Sequence, residues 1–346
     1  MTDAVERIWY GRDAGARAAR LLLWPLGRVF AAVSTARGAM YDRGLLASHA
    51  TALPAVSIGN LTVGGTGKTP VAAEVARRLA ALGARPAIVL RGYGDDEPLV
   101  HERLNPGVPV VVAPDRVAGV LEARVRGATV AVLDDAFQHR RARRAVDVVL
   151  VSADRWRSAP PRPLPTGPWR ESLVAMRRAS IAVVTRKAAS DGDVDDAVAA
   201  IRRAAPAVPV AIARLDPGEL HAAAPTVDGG RRSLGSVGGR RVLLVSAIGD
   251  PAALVRQLER AGALVEPATF PDHHAFDASD VARLVQRAST VDVVICTLKD
   301  AVKLEARWPR PGPPLWYVSQ SVTFERGEDD LDRVLRGLLP HRPPNP

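Results

Sequence analysis

Cysteine is nearly absent. Cys296 is the only one in 346 residues, so an intramolecular disulfide framework is excluded and the composition suits a reducing compartment. It closes the run Val293-Val294-Ile295-Cys296, which reads as a buried strand, and it is taken as a small core residue rather than a nucleophile. Aromatic side chains are also scarce, with five Phe and four Tyr. The stacking platforms of single-strand nucleic-acid binders are therefore not expected. No uninterrupted apolar run approaches the ~18 residues a membrane-spanning helix needs. A signal peptide is not expected either, because arginines interrupt the N-terminal apolar stretch and no clean cleavage site follows it. Acidic residues are outnumbered, 37 against 47 Lys and Arg, for a formal net charge of +10. Nucleic acid, an anionic membrane surface or a phosphorylated substrate could each answer that excess, and Arg/Ala-rich base composition could produce it without any partner.

What the chain does have is length for two domains and an apolar fraction of 47%, ordinary for a packed core. Near the N-terminus, Leu21 to Leu26 and Val29 to Val33 are largely apolar and bounded by Arg17, Arg20, Arg28 and Arg37. An Arg-flanked helix carrying Trp24 and Phe30 fits a segment lying in a membrane interface. Packing on the protein's own core is the competing reading.

Residues 58 to 70 carry the strongest signal. A β-rich run, Ala55-Val56-Ser57-Ile58, leads through Gly59, Asn60, Leu61, Thr62, Val63, Gly64, Gly65 and Thr66 to Gly67-Lys68-Thr69, where an amphipathic helix is expected. Glycines let backbone N–H groups turn toward a polyphosphate, and the helix N-terminus adds partial positive charge. Lys68 is suited to the β- and γ-phosphates, and the Thr69 hydroxyl to Mg²⁺. The motif ordinarily opens with glycine, where this chain has Thr62.

From residue 53 onward, strand and helix alternate. Strands are expected at 55–58, 86–90, 109–113, 129–133, 146–151 and 181–184. Helices are expected at 69–82 and, capped by Asp115, through Arg126 with Val117, Val120, Leu121 and Val125 inward. Continuous apolar strands suit a parallel sheet covered on both faces. Residues 156–170 read as an irregular loop. Prolines and glycines mark 216–239 as a linker. Beyond it, strands at 242–246 and 291–296 and helices at 251–261 and 278–288 suggest a smaller second α/β domain.

Several polar groups fall at strand ends. Asp134 and Asp135 follow a strand beside the phosphate loop, where such folds hold Mg²⁺. Gln138 and His139 lie just beyond. Asp96, after the glycines of Arg91-Gly92-Tyr93-Gly94, is a candidate to accept an alcohol proton, although Asp96-Glu97-Pro98 also reads as an ordinary acidic turn. His273 and His274 stand together in a turn, with no spacing that suits zinc. They read as hydrogen-bonding or acid–base groups. The segments 164–171 and 297–303 read as loop-like.

Together these stretches resemble one family, the tetraacyldisaccharide 4′-kinases. The resemblance rests on Ser57–Pro70, Arg91–Gly94 with Asp96–Pro98, Leu133–Arg141, Leu164–Glu171, Phe270–Phe276 and Lys299–Lys303, in the family's order. The family's own phosphate loop carries Thr at the position of Thr62. The resemblance implies transfer of the ATP γ-phosphate, with Mg²⁺, to the 4′-hydroxyl of a tetraacylated glucosamine disaccharide 1-phosphate, giving a lipid A precursor at the cytoplasmic face of the bacterial inner membrane. It implies a P-loop NTPase-like, doubly wound α/β fold with a mainly parallel sheet, a smaller C-terminal α/β domain and an N-terminal membrane-contacting helix. The expected division is 1–45 N-terminal helix, 46–215 kinase domain, 216–239 linker and 240–340 second domain. A monomer without nucleic acid is expected.

By position, Asp96 matches the family's base and His273 its dyad partner. Asn60, Thr62, Gly64, Gly65, Thr66, Gly67, Lys68 and Thr69 would hold ATP. Thr69, Asp134, Asp135 and Glu171 would surround the metal, with His139, Gln138 and Arg91 nearby. Two departures stand out: the segment between Gly94 and Asp96 is short, and Leu298 replaces the glutamate of the family's Thr-Glu-Lys-Asp. The alternative is a P-loop GTPase or ATPase of assembly or metallochaperone type, since Thr297-Leu298-Lys299-Asp300 faintly mimics a guanine-reading motif. A basic nucleic-acid-binding ATPase is a further rival.

Overall fold

The computed structural model describes residues 3–92, 96–157, 161–223, 230–249, 251–272 and 274–339. Among them, twelve strands form one sheet. In chain order these are β1 (Ala55–Asn60), β2 (Pro86–Leu90), β3 (Val110–Val112), β4 (Val130–Asp134), β5 (Val146–Ser152), β6 (Ile181–Arg186), β7 (Val210–Ala222), β8 (Arg231–Arg232), β9 (Arg241–Ser246), β10 (Leu264–Thr269), β11 (Val293–Thr297) and β12 (Leu315–Arg326). Across the sheet they run β10-β9-β11-β12-β7-β6-β5-β1-β4-β2-β3, with β8 on β7. Pairing is parallel except where β7 meets β12 and β8.

The central strands earn their place by composition. β1, β2, β4 and β11 are buried along their whole length, as continuous apolar runs covered on both faces require. On one face, Val56, Ile58, Ile88 and Val148 pack against Val71, Val75 and Leu79 of α3 (Lys68–Ala81) and Leu331 and Leu335 of α10 (Glu328–Arg336). On the other, Val149 and Val184 meet Phe137, Met176 and Val194 and Ile201 of α6 (Asp191–Ala204). The second half of the sheet repeats the plan. Leu243 and Val245 face Leu284 of α8 (Ala278–Ala288) and Leu304 of α9 (Leu298–Leu304), while Val242 and Leu244 face Leu254 and Leu258 of α7 (Pro251–Arg260). Cys296 is fully buried in that core, and burial raises its thiol pKa well above the usual value.

Four expectations change. Residues 216–222, expected in the linker, are the second half of β7 and pair with β12 from Asp216↔Ser321 to Ala222↔Trp316. The sheet therefore runs unbroken from one half of the chain to the other. Residues 297–303 are not a loop: Thr297 caps α9 by accepting from the Asp300 N–H at 3.2 Å. Asp96-Glu97-Pro98 is not a bare turn but the first turn of α4 (Asp96–Leu104). Finally, Asp115 does cap α5 (Arg116–Val125), yet the inward face is Arg116, Gly119, Val120 and Ala123, and Leu121 and Val125 point to solvent. Gly119 sets that face: a Cβ there would lie 2.7 Å from Val89 and 2.8 Å from Ala113, so only glycine lets α5 approach the sheet so closely.

At the N-terminus, α1 (Asp3–Tyr10) turns into α2 (Ala14–Asp42), the long helix that the apolar pattern suggests. Leu21, Leu22, Trp24, Leu26, Val29 and Val33 are all more than half exposed along it. Among the described residues, no helix is long and apolar enough to cross a membrane.

Candidate active site

β1 is hydrogen-bonded on both edges, to β4 and β5, and delivers the phosphate loop at its C-terminal end. The loop is held by its own side chains. Asn60 Nδ2 donates to Thr66 Oγ1 at 2.8 Å, and Thr185 Oγ1 donates to the Thr66 carbonyl at 2.9 Å. Gly67 precedes α3 with φ of 84° and offers no side-chain cap. The first-turn N–H groups of α3 thus keep their capacity for an anion. A Cβ at Gly67 would meet Leu215 Cδ1 at 2.4 Å, so both the turn and the packing demand glycine.

Lys68 Nζ lies 3.3 Å from Asn60 Oδ1 and 3.7 Å from Asp135 Oδ1. Burial lowers its pKa, and Asp135 opposes that. Arg170 forks onto Asp135, with Nη2 2.9 Å from Oδ1 and Nη1 3.3 Å from Oδ2, and also donates to Asn60. Burial would raise the Asp135 pKa, but Lys68 and Arg170 overcome it and hold the carboxyl at about 2. Asp135 adopts φ of 46°, a left-handed backbone that aspartate tolerates better than most residues. Its N–H donates to Asp134 Oδ1 at 2.9 Å, and Asp134 Oδ2 lies 2.9 Å from His101 Nε2.

These groups open on a cavity of about 990 Å³. Thr62 to Pro70, Arg91, Asp134, Asp135, Gln138 and His139 line it from the first half of the chain; Lys187, Gly249, Asp272, Leu298, Lys299 and Ser319 are among those facing it from the second. Gln138 Nε2 donates to the Asn60 carbonyl at 2.9 Å, and its buried Oε1, like His139 Nε2, has no hydrogen-bond partner among the described residues. Burial, and then Arg116, lower the His139 pKa.

Asp96 opens α4 and is 5% exposed, beside Glu97 and Val100, which line the cavity. Lys303 Nζ approaches Asp96 Oδ2 at 3.9 Å and Asp300 Oδ1 at 3.4 Å, and donates to the His274 carbonyl at 3.1 Å. α4 and the 270–276 turn therefore converge on one lysine. His273 itself lies outside the described residues. His274 is a structural group: its Nε2 lies 2.6 Å from buried Asp280 and its ring stacks on Phe270.

One predicted metal residue sits elsewhere. Glu171 is held by Arg178, at 2.8 and 3.2 Å, and lines a second cavity of about 760 Å³ between α2 and residues 161–173. Among the described residues no group of three His, Cys, Asp or Glu side chains is gathered as a metal cage. Thr69, Asp134 and Asp135 nevertheless offer hard oxygen donors at the loop, the incomplete set that Mg²⁺ accepts when phosphate oxygens and water supply the rest.

Sequence reasoning missed His101, Arg170 and Lys303 as site residues. Arg170 and Lys303 fall within stretches that carry the family resemblance. His101 had no signal, because its helix read as a turn.

The family model for tetraacyldisaccharide-1-P 4′-kinase matches residues 19–339. A tetraacyldisaccharide 4′-kinase of Anaeromyxobacter sp. (strain Fw109-5) is 38% identical, with 97% of each chain covered. That of Phenylobacterium zucineum is 35% identical over 98% of this chain and all of its own. Among solved structures, LpxK from Aquifex aeolicus in complex with ATP aligns with a TM-score of 0.70 and 25% identity, covering 92% of this chain and 99% of that one.

Proposed function

The chain belongs to the tetraacyldisaccharide 4′-kinase family, and from that premise we propose how its residues divide the work. The reaction is ATP-dependent phosphorylation of the 4′-hydroxyl of an acylated glucosamine disaccharide 1-phosphate, a step of lipid A biosynthesis. The observation that carries the reading is the phosphate loop itself: glycines, an uncapped helix N-terminus and Lys68, all facing one large cavity.

ATP phosphates lie along Gly64 to Thr69, with Lys68 on the terminal pair. Asn60, Thr62 and Thr66 shape that loop. Thr69, Asp134 and Asp135 would hold Mg²⁺, which when bound would supply positive charge at the phosphates. Arg170 fixes Asp135 and Asn60 in register. Asp96 accepts the sugar hydroxyl's proton, and His273 tunes its basicity. Lys303 stands beside Asp96 and ties it to the 270–276 turn.

The acceptor enters along α2. The second cavity is lined by Arg17, Arg20, Arg28 and Arg162, while its carboxylate, Glu171, is already paired with Arg178. That imbalance suits a phosphorylated sugar. The exposed Leu, Trp and Val face of α2 lies in the headgroup region of the cytoplasmic leaflet of the inner membrane and keeps the acyl chains in lipid. The protein works as a monomer of two lobes, 46–215 and 240–340, on either side of the ATP cavity.

The assembly-NTPase alternative is not favoured. Asp300, which a guanine-reading motif would aim at the base, is fully buried and bonded to the Ala247 N–H and Thr297 Oγ1. Phosphate transfer from radiolabelled ATP to an acylated disaccharide 1-phosphate in detergent micelles tests the reading. Labelled lipid that requires both ATP and acceptor is expected. Acceptor-independent hydrolysis, or a preference for GTP, would overturn it.

A further inference from the structure

Besides Asp96, α4 carries a second polar group, one with no role in the proposed division of work. His101 is fully buried, one and a half turns beyond Asp96. Its Nε2 lies 2.9 Å from Asp134 Oδ2, and its Nδ1 has no hydrogen-bond partner among the described residues. An imidazole kept in a core with half its polar capacity unused is costly, and a leucine would pack there at no such cost.

An ionised carboxylate can only accept, so the Nε2 atom carries the hydrogen that it shares with Asp134. The other neighbours of Asp134 do not orient its carboxyl in that way. Arg116 Nη2 reaches the main-chain carbonyl at 3.2 Å, not the side chain. The Asp135 N–H takes Oδ1. Among the described residues His101 is thus the side chain that fixes the remaining rotation of the Asp134 carboxylate, on the wall of the cavity that Asp134 lines.

The helix that bears it is anchored independently. Asn105 Nδ2 donates to the Ala73 carbonyl of α3 at 3.1 Å, and Arg103 meets Glu305, just past α9, at 2.7 Å. One rigid element therefore begins at the candidate base and grips the candidate metal carboxylate.

We infer that His101 is a positioning residue for Asp134, presetting that carboxylate for the divalent cation that accompanies ATP and tying it, through α4, to Asp96. The inference rests on the reading of Asp134 as a cation-binding carboxylate. Partners that orient a ligating group change metal affinity by about 10–100-fold when removed.

The test uses the full chain and Mn²⁺ as probe. Free Mn²⁺ is followed by its electron paramagnetic resonance signal in the presence of ATP, and ATP binding in EDTA by calorimetry. His101→Met fills the volume without a donor, and His101→Gln retains an N–H. The expected result is a 10–100-fold weaker Mn²⁺ affinity in His101→Met, recovery to within about fivefold in His101→Gln, and metal-free ATP affinity unchanged in both. Unchanged Mn²⁺ affinity in a folded His101→Met overturns the inference, as does an equal loss of metal-free ATP binding. If His101→Met does not fold, His101→Gln decides: weakening beyond fivefold overturns the inference, and retained affinity supports it. Asp134→Asn separates the premise. If that variant binds Mn²⁺ as tightly as the parent, the reading of Asp134 fails; if it does not, a failure of the His101 variants belongs to the inference alone.

Discussion

Replacing Asp96 by asparagine removes one negative charge and nearly no volume. The consequences can be worked from its surroundings. α4 does not depend on Asp96 for its seat: His101, Arg103 and Asn105 hold it to β4, Glu305 and α3. Lys303 keeps a carboxylate neighbour, Asp300 at 3.4 Å. The fold should survive, and the loss should fall on proton transfer. General bases contribute typically 10²–10⁴-fold, equivalent to about 3–5.5 kcal/mol of barrier at 1.36 kcal/mol per decade. In the proposed reading the nucleotide rests on Gly64 to Thr69, a loop tied to Asn60 through Thr66 and Lys68 and to Thr185 through the Thr66 carbonyl. Single-turnover transfer from ATP, run beside calorimetric ATP titration, should show kcat reduced by two to four decades and Kd for ATP within about twofold. A parallel loss of ATP affinity, or a rate within a factor of ten of the parent, would refute the assignment of Asp96 as base.

Two further outcomes follow from the same geometry. Gly67→Ala forces a left-handed alanine, which costs about 1–2 kcal/mol, and drives its Cβ to 2.4 Å from Leu215, adding about 1–3 kcal/mol of overpacking. Gly65→Ala, with nothing within 4 Å of the built Cβ, should retain the parent's urea midpoint while Gly67→Ala lowers it; equal midpoints would contradict the packing argument. The second concerns pH. Burial, with Arg116, lowers the His139 pKa below its usual 6.5, so on acidification the unfolded chain takes up a proton that the folded one refuses, and stability falls as pH drops from about 6.5 toward the folded value. His139→Gln should show a smaller loss of stability between pH 7.5 and 5.5 than the parent. An identical or steeper loss would count against it.

How far the sequence revealed this molecule depends on how local the deciding forces are. β1, the phosphate loop and α3 were legible because turn glycines, a continuous apolar strand and an apolar helical face all act within a few residues. The same holds for α8, which Asp277 caps. β7 was not legible as a strand at any point along its length. Pro217 and Gly218 read as linker, yet their strand is set by pairing with β12 a hundred residues away, and no local preference encodes that. α9 was missed because its start is a Thr297 cap on a short helix whose buried face, Asp300, Ala301 and Leu304, is decided by the neighbouring sheet. In the site, Lys68, Asp134 and Asp135 came from motif spacing. That Glu171 pairs with Arg178 was not legible, because spacing does not show which cation a carboxylate meets. His101 was invisible for a related reason: its partner, Asp134, is 33 positions along the chain.

The antiparallel seam between β7 and β12 has a mechanical consequence. Many two-lobed kinases shut by swinging one lobe about a flexible joint. Here nine positions of β7 pair with β12, across two irregularities in register, and join the two sides of the cavity into one hydrogen-bonded sheet. Bending that sheet would break ladder bonds several at a time. Opening for nucleotide entry therefore falls to the connecting segments that rim the sheet, and turnover should respond to stiffening those rims far more than to bracing the lobes against each other.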